Sequence, residues 1–321
     1  MARKIEQEME QLGLLREGPH DAAVVALRKA LKDRVNLMVA KAARTIAVME
    51  LRVLAPEMLQ AYARLFEDGA KCDPQCWGKN ALAIALRDLG HTDSSTFLRG
   101  AKWVQMEPTY GGSVDTAITL RGICLLALLG CTDLRRGDLL RALVDAFNDE
   151  AAPVRVEVAR ALERMEGDEG ALLLRLKARF GDAEPQVIGQ VFDSLLKLEL
   201  ERALAFVGGF MRIETAVREE AALALGSSRL PGAVDLLQEA WKTAKDPGFR
   251  QAILRAFGIS RQERAIQTLL EVVRTGRAQD AECALEALAI DQGSPEIRRQ
   301  AYEAATESGP SILALFSQYF R

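Results

Sequence analysis

The chain has 321 residues, with 42 basic against 45 acidic side chains and a net charge of −3; that length implies two domains or a repeat array rather than one compact core. At 49% apolar and 27% charged residues it is neither disordered nor membrane-spanning by composition, and its longest apolar stretch, 122–130, is too short to cross a bilayer. The 49 Ala and 45 Leu set against 6% aromatics favour helices over sheets.

The start, Met1-Ala-Arg-Lys-Ile-Glu-Gln-Glu-Met-Glu, lacks a signal-peptide apolar region and reads as a polar helix and linker over 1–20. From 21 to 290 the helical patterns come in pairs. First helices are expected over 22–32, 56–67, 94–104, 139–147, 171–180, 203–211, 233–243 and 265–273. Pro56, Pro74, Pro153, Pro185, Pro231, Pro247 and Pro295 stand where helices would begin, since a proline needs no N–H partner in the first turn. Asp73-Pro74 and Asp246-Pro247 add a capping carboxylate. No run alternates apolar and polar residues, so no sheet is expected. The stretch 105–115 lengthens the turn of the third pair, and 291–321 reads as a capping segment from about Ser294. Within it, 311–320 is apolar enough to cover the last repeat or to dock elsewhere.

The second helices repeat one another. Val154-Arg-Val-Glu-Val-Ala-Arg-Ala-Leu162, Val217-Arg-Glu-Glu-Ala-Ala-Leu-Ala-Leu225, Phe249-Arg-Gln-Ala-Ile-Leu-Arg-Ala-Phe257 and Leu120-Arg-Gly-Ile-Cys-Leu-Leu-Ala-Leu128 share an apolar-Arg start and an Ala-Leu or Ala-Phe end. With weaker copies, the equivalent positions are 41, 79, 121, 155, 188, 218, 250 and 281, spaced 38, 42, 34, 33, 30, 32 and 31 residues apart. Two helices per unit at such a period predict an all-α fold, an α-solenoid (a right-handed superhelix) of about eight antiparallel helix pairs.

Asp115 with Arg121 and Asp149 with Arg155 stand six apart across the turn into the second helix, and Asp73 with Lys79 repeats the spacing. This resembles the Asp-and-Arg ladder of HEAT repeats, especially the short bacterial kind first described in phycobilisome lyases, over roughly 21–290. The pattern departs at Ile188, which replaces a basic residue opposite Asp182, and at Arg218 and Arg250, whose acidic partners are shifted. Regular recurrence makes the ladder a stacking device, because a catalytic site is needed once.

Candidate chemistry is sparse. Cys72 and Cys76 stand four apart with His91 downstream, but no fourth zinc ligand is evident, so no metal is expected. Cys76 falls in a first helical turn, where a helix N-terminus can lower a thiol pKa; the alternative is a small semi-buried side chain at a turn. HEAT-type iron hydroxylases carry paired His-Glu motifs, and neither His20 nor His91 belongs to one. HEAT-like DNA alkylpurine glycosylases use aromatics and a carboxylate in a basic groove. Trp103 with Glu107 offers the pair, yet the balanced charge opposes DNA capture. Gly111-Gly112 lacks the strand and helix context of a phosphate loop and reads as a turn.

The expected function is a non-enzymatic protein-interaction scaffold without a cofactor, binding another protein on its concave face. Nucleic acid, membrane and small-molecule substrate are not expected as partners. The competing class is an enzyme or enzyme subunit, a chromophore-lyase accessory or a glycosylase-like base remover. Five cysteines, an odd number, suit a reducing compartment and point to the cytoplasm. Positions one and five after each ladder site should line the groove: Asn80 and Ile84, Gly122 and Leu126, Val156 and Arg160, Gly189 and Asp193, Glu219 and Leu223, Gln251 and Arg255, Glu282 and Glu286. The first three pairs are the more apolar. Partner contact is therefore expected at Ile84, Leu126, Val156 and Arg160, with Trp103 and Tyr110 at the rim.

Overall fold

In the computed structural model residues 2–165 and 167–320 are described, with side chains from residue 6 onward except that of residue 166. Helix makes up 76% of it, and the chain divides into two compact units, residues 1–164 and 165–321.

The first unit opens with α1 (Ala2–Leu14), then α2 (His20–Ala30) and α3 (Asn36–Val48). Next come α4 (Ala55–Arg64), the single turn α5 (Gly69–Cys72) and α6 (Trp77–Asp88). The following pair is α7 (Ser94–Ala101) and α8 (Ile118–Ala127), with β1 (Met106–Thr109) and β2 (Gly112–Asp115) between them, and α9 (Arg136–Ala146) and α10 (Ala152–Glu163) close the unit. The second helices form one continuous row, α3 on α6, α6 on α8 and α8 on α10, and α1 lies against α3. Alanine and leucine alternate along the buried sides of that row, as at Ala81, Leu82, Ala85 and Leu86. Removing those apolar surfaces from water is what holds helices too short to persist alone.

The second unit comprises α11 (Asp168–Phe180), α12 (Pro185–Glu199), α13 (Glu201–Phe210), α14 (Val217–Ser228) and α15 (Pro231–Thr243). It continues through α16 (Pro247–Ser260), α17 (Glu263–Thr275), α18 (Ala278–Leu288), α19 (Pro295–Ser308) and α20 (Pro310–Tyr319). Its row runs α12, α14, α16, α18. Here glycine sets the spacing. A Cβ on Gly258 would stand 2.5 Å from the Ala287 carbonyl oxygen, and one on Gly226 would meet the backbone of Ala256. The segment 311–320 lies on its own chain: α20 packs against α18 and α19 and buries Ile312, Phe316 and Phe320.

The eight expected first helices are α2, α4, α7, α9, α11, α13, α15 and α17, each within three residues of its expected limits. Two expectations are corrected. The stretch 105–115 is not a plain loop, and the chain does contain a sheet, because β1 and β2 pair as an antiparallel hairpin with Met106 opposite Asp115 and Thr109 opposite Gly112. Gly111 makes its tight turn at φ 90°, a conformation glycine adopts without steric cost. Pro74 also starts only a short 3-10 turn, Pro74–Cys76, and not α6 itself. Gln75 and Cys76 follow it at φ 60° and 54°, in left-handed conformation, and α6 begins only at Trp77. Asp246-Pro247 keeps to the expectation, with the Asp246 carboxylate accepting from the Phe249 N–H at 2.8 Å.

Candidate functional site

The ladder runs along the turns that enter the second helices. Asp73 is completely buried and accepts at one oxygen from Gly78 N–H (2.7 Å) and from Asn36 Nδ2 of the preceding pair (2.8 Å). Its other oxygen accepts from Lys79 N–H (2.9 Å) and faces Lys79 Nζ at 3.1 Å. Lys79 is equally buried; its ammonium also donates to the Leu65 carbonyl (3.0 Å) and lies 5.4 Å from the Phe66 ring centre. Arg121 bridges two repeats, donating to Asp115 at 2.6 Å and to Asp149 at 2.7 Å through Nε and 3.0 Å through Nη2. Such planar multi-donor pairing is what guanidinium does and ammonium does not. Arg155 donates to the backbone carbonyls of Asp149 and Glu150.

In the second unit the ladder points forward along the chain. Arg218 pairs with Asp246 at 2.7 Å and lies over Phe249; Arg250 pairs with Asp280 at 2.8 Å and stacks on Trp241 at 3.7 Å. Those are the shifted acidic partners. Ile188 is fully buried, and the cation facing Asp182 comes instead from Lys177 of α11 at 2.7 Å.

The hairpin is fastened to the turn before α6 by Glu107. One carboxylate oxygen accepts from Gln75 N–H (2.8 Å), Gln105 Nε2 (2.7 Å) and Thr116 Oγ1 (2.6 Å), and the other from Gln75 Nε2 (3.3 Å). Burial alone would raise Glu107, but the bonds from Thr116, Gln105 and Gln75 outweigh it and hold the carboxyl below its ordinary range. Trp103 donates its indole N–H to Gln105 at 3.2 Å and meets Phe66 edge-on at 4.9 Å. Trp103 and Glu107 are thus engaged in attaching the hairpin. Burial pushes the Cys76 thiol up to about 11, against the expectation that a helix N-terminus activates it; the sulfur lies 3.8 Å from Thr116 Oγ1. His91 contacts Thr96 Oγ1 at 3.1 Å and the Phe97 ring. Among the described residues no three His, Cys, Asp or Glu side chains are grouped to hold a metal ion.

Ile84 on α6, Leu126 on α8 and Val156 on α10 are each half-buried, and Arg160 is exposed and pairs with Glu157 at 2.6 Å. Gly122 is covered by Glu157, whose Cγ would lie 2.8 Å from a Cβ there. Trp103 is half-buried, whereas Tyr110 at the hairpin tip is fully exposed. Exposed Met106 and Val114 accompany it on the hairpin, and Trp77 is 47% exposed at the start of α6, two residues beyond the Gln75–Glu107 contact. The exposure of Trp77 follows from the delayed start of α6. A separate groove of about 710 Å³ runs between α15 and α17 past Trp241 and Arg250. Its principal cations are already engaged, Arg250 with Asp280 and Arg264 with Asp235.

Helix pairs stacked in sequence order define an α-solenoid. Residues 214–289, which take in α14 through α18, match the family of HEAT repeats. No curated protein matches the chain. Among solved structures, human deoxyhypusine hydroxylase in complex with glycerol is similar at 19% identity and a TM-score of 0.31, over 82% of this chain and 99% of that chain.

Proposed function

We propose that the protein is a non-enzymatic scaffold that holds another protein on the second-helix face of residues 1–164. The row Ile84, Leu126 and Val156 carries this reading: Ile84 and Leu126 stand five residues after their ladder positions and Val156 one residue after its own, on three successively stacked helices, and each side chain is half-buried. Repeat arrays use such rows as extended binding surfaces. The Glu157–Arg160 pair gives the row a polar end, and Tyr110 and Trp77 supply rigid aromatic area of the type that anchors interfaces. Trp103 acts from beneath, as the support of the hairpin. The repeats run over 21–290, with 1–20 as a polar helix and linker and 291–321 as a capping segment. By their Asp-and-Arg ladder they belong with the short bacterial kind. All five cysteines are free thiols, which suits a reducing compartment, and the cytoplasm is where we place the protein.

Affinity capture with mass spectrometry of the recovered partner tests the reading. Leu126→Asp and Tyr110→Ala should each reduce recovery at least about tenfold, as loss of an interface anchor does, with helicity and melting near wild type. Tyr110→Ala alters a fully exposed side chain, so it separates lost binding from lost folding. Undiminished recovery by both variants would place the partner elsewhere, and turnover of a small substrate with no protein recovered would end the scaffold reading.

A further inference from the structure

The hairpin of β1 and β2 has two outer edges of unequal character. Its register pairs Met106 with Asp115 and Pro108 with Ser113, and the Thr116 N–H donates to the Gln105 carbonyl at 2.9 Å. Antiparallel pairs alternate between exchanging hydrogen bonds and turning those groups outward. Gln105 with Thr116 is a bonded pair, so Glu107 with Val114 is the next, and Met106, Pro108, Ser113 and Asp115 face outward. Pro108 fits such a place because it has no N–H to offer. The β1 edge is thereby blunted, as edges are where further pairing is unwanted. β2 has no proline. Ser113 and Asp115 direct both N–H and C=O outward there, and among the described residues no protein group bonds to them. Gly112, Ser113 and Val114 are exposed. The one charge on β2 is drawn inward, because the Asp115 carboxylate accepts from the Gln105 and Ala117 N–H groups and from Arg121.

We propose that the outer edge of β2 takes an extended peptide segment of the partner protein as a third strand. This names the chemistry of the partner, and it rests on the scaffold reading for the choice of a protein as occupant. Backbone donors and acceptors at alternate residues are matched by another strand and not by a helix, whose own N–H and C=O groups are already used. Ser113 and Asp115 stand two apart on the edge, so the segment bonds through every second residue. Its residue opposite Val114 is apolar, since Val114 is 42% exposed beside the edge and cross-strand apolar pairs stabilise a sheet. Glu107 fastens β1 to the turn before α6, so β2 is presented on a fixed support rather than on a free loop. Four residues limit the strand contact. Tyr110 and the row from Ile84 to Val156 provide the remainder of the partner's area.

A phage-displayed library of random linear peptides, selected on the full chain, supplies the probe. N-methylation of a selected peptide, one residue at a time, should weaken binding to wild type about tenfold at alternate residues, where each methyl removes a bonded N–H. The intervening residues should tolerate it. Ser113→Pro should weaken the same peptide about tenfold, because the Ser113 N–H faces outward and its loss leaves the bonds between β1 and β2 in place. The methyl scan on wild type retains the test if Ser113→Pro disturbs the hairpin. A library that yields no binder, a scan without the alternation, or a folded Ser113→Pro protein that binds as well as wild type would each overturn the assignment. So would a wild-type dimer in sedimentation that Ser113→Pro dissociates, which would give the edge to a second copy. The scaffold reading fails separately. A captured protein partner lost on Leu126→Asp but kept by Ser113→Pro ends the strand assignment and leaves the scaffold; an alternating scan with no protein captured does the reverse.

Discussion

Glu107 takes hydrogen bonds from the Gln75 backbone and from the side chains of Gln105 and Thr116, so its negative charge holds β1 against the turn before α6. That turn is conformationally costly: left-handed backbone at Gln75 and Cys76 disfavours the fold by about 1–2 kcal/mol per residue, offset here by the acceptors of Asp73 and Glu107. The lowered Glu107 pKa fixes a sign. A carboxyl whose folded value lies below its ordinary 4.5 contributes stability that is fully present above 4.5 and is lost as pH falls through the folded value. Glu107→Gln keeps one acceptor for the Gln75 N–H, Gln105 and Thr116 but turns an amide toward Gln75 Nε2 and removes the charge that strengthens the other bonds, a loss of about 1–3 kcal/mol at neutral pH. In denaturant titrations the gap between wild type and variant should be widest above pH 5 or so and should narrow steadily in more acidic solution, once Glu107 protonates. A gap that stays constant with pH would assign the loss to shape rather than charge. Asp115, also lowered despite burial by the N–H groups of Ala117 and Gln105 and by Arg121, titrates alike in both proteins and drops out of the difference.

Element by element, the rows of second helices depend on where glycine stands. In an isolated helix Gly→Ala gains about 1 kcal/mol from propensity. At Gly226 and Gly258 an added Cβ would instead enter the backbone of the next helix, at Ala256 and Ala287. Overpacking of this kind costs about 1–3 kcal/mol, and a backbone neighbour cannot swing aside as a side chain can. Gly209 on α13 has nothing within 4 Å of the same position. Thermal melts should therefore move in opposite directions, down for Gly226→Ala and Gly258→Ala and up for Gly209→Ala. A rise at all three would mean that the rows are spaced more widely than these glycines imply.

The same contrast explains what could be read in advance from the amino acids. Arg121, Arg155, Arg218 and Arg250 recur because each repeat needs the same polar contact at its turn, so the period and the helix pairs are written several times over. The hairpin is written once. Met106-Glu-Pro-Thr109 and Gly112-Ser-Val-Asp115 show no apolar alternation, and pairing is secured by Glu107 reaching a turn 32 residues away. Lys177 was equally hidden, because it supplies the cation for Asp182 from a first helix rather than from the ladder position at Ile188. At the candidate site, Ile84, Leu126 and Val156 follow from repeat arithmetic. The exposure of Trp77 does not, since it depends on two left-handed residues that displace the start of α6.

At the scale of the whole chain, each unit has its own buried core: Leu82, Leu86, Leu120 and Leu125 in residues 1–164, and Phe192, Leu225, Phe257 and Leu285 in residues 165–321. Within a row every helix rests on its immediate neighbours, so stability is approximately a sum of repeat terms and nearest-neighbour interface terms. Damage should then spread by contact order along the row and fade with distance. Phe257 of α16 is fully buried, and its truncation to alanine should cost about 3–5 kcal/mol. Hydrogen exchange followed by mass spectrometry should find the largest loss of protection in α14, α16 and α18, which α16 joins, and a smaller loss in α12. Amides of α3, α6 and α8 should keep their wild-type rates. Leu82→Ala in α6 should reverse the pattern, loosening α3, α6 and α8 and leaving α14 through α18 protected. Partial opening of this sort is measurable because exchange reports sub-global unfolding at free energies below the global value. Uniform loss of protection along the entire chain in either variant would mean that the two units unfold as one cooperative block, and the nearest-neighbour account would fail.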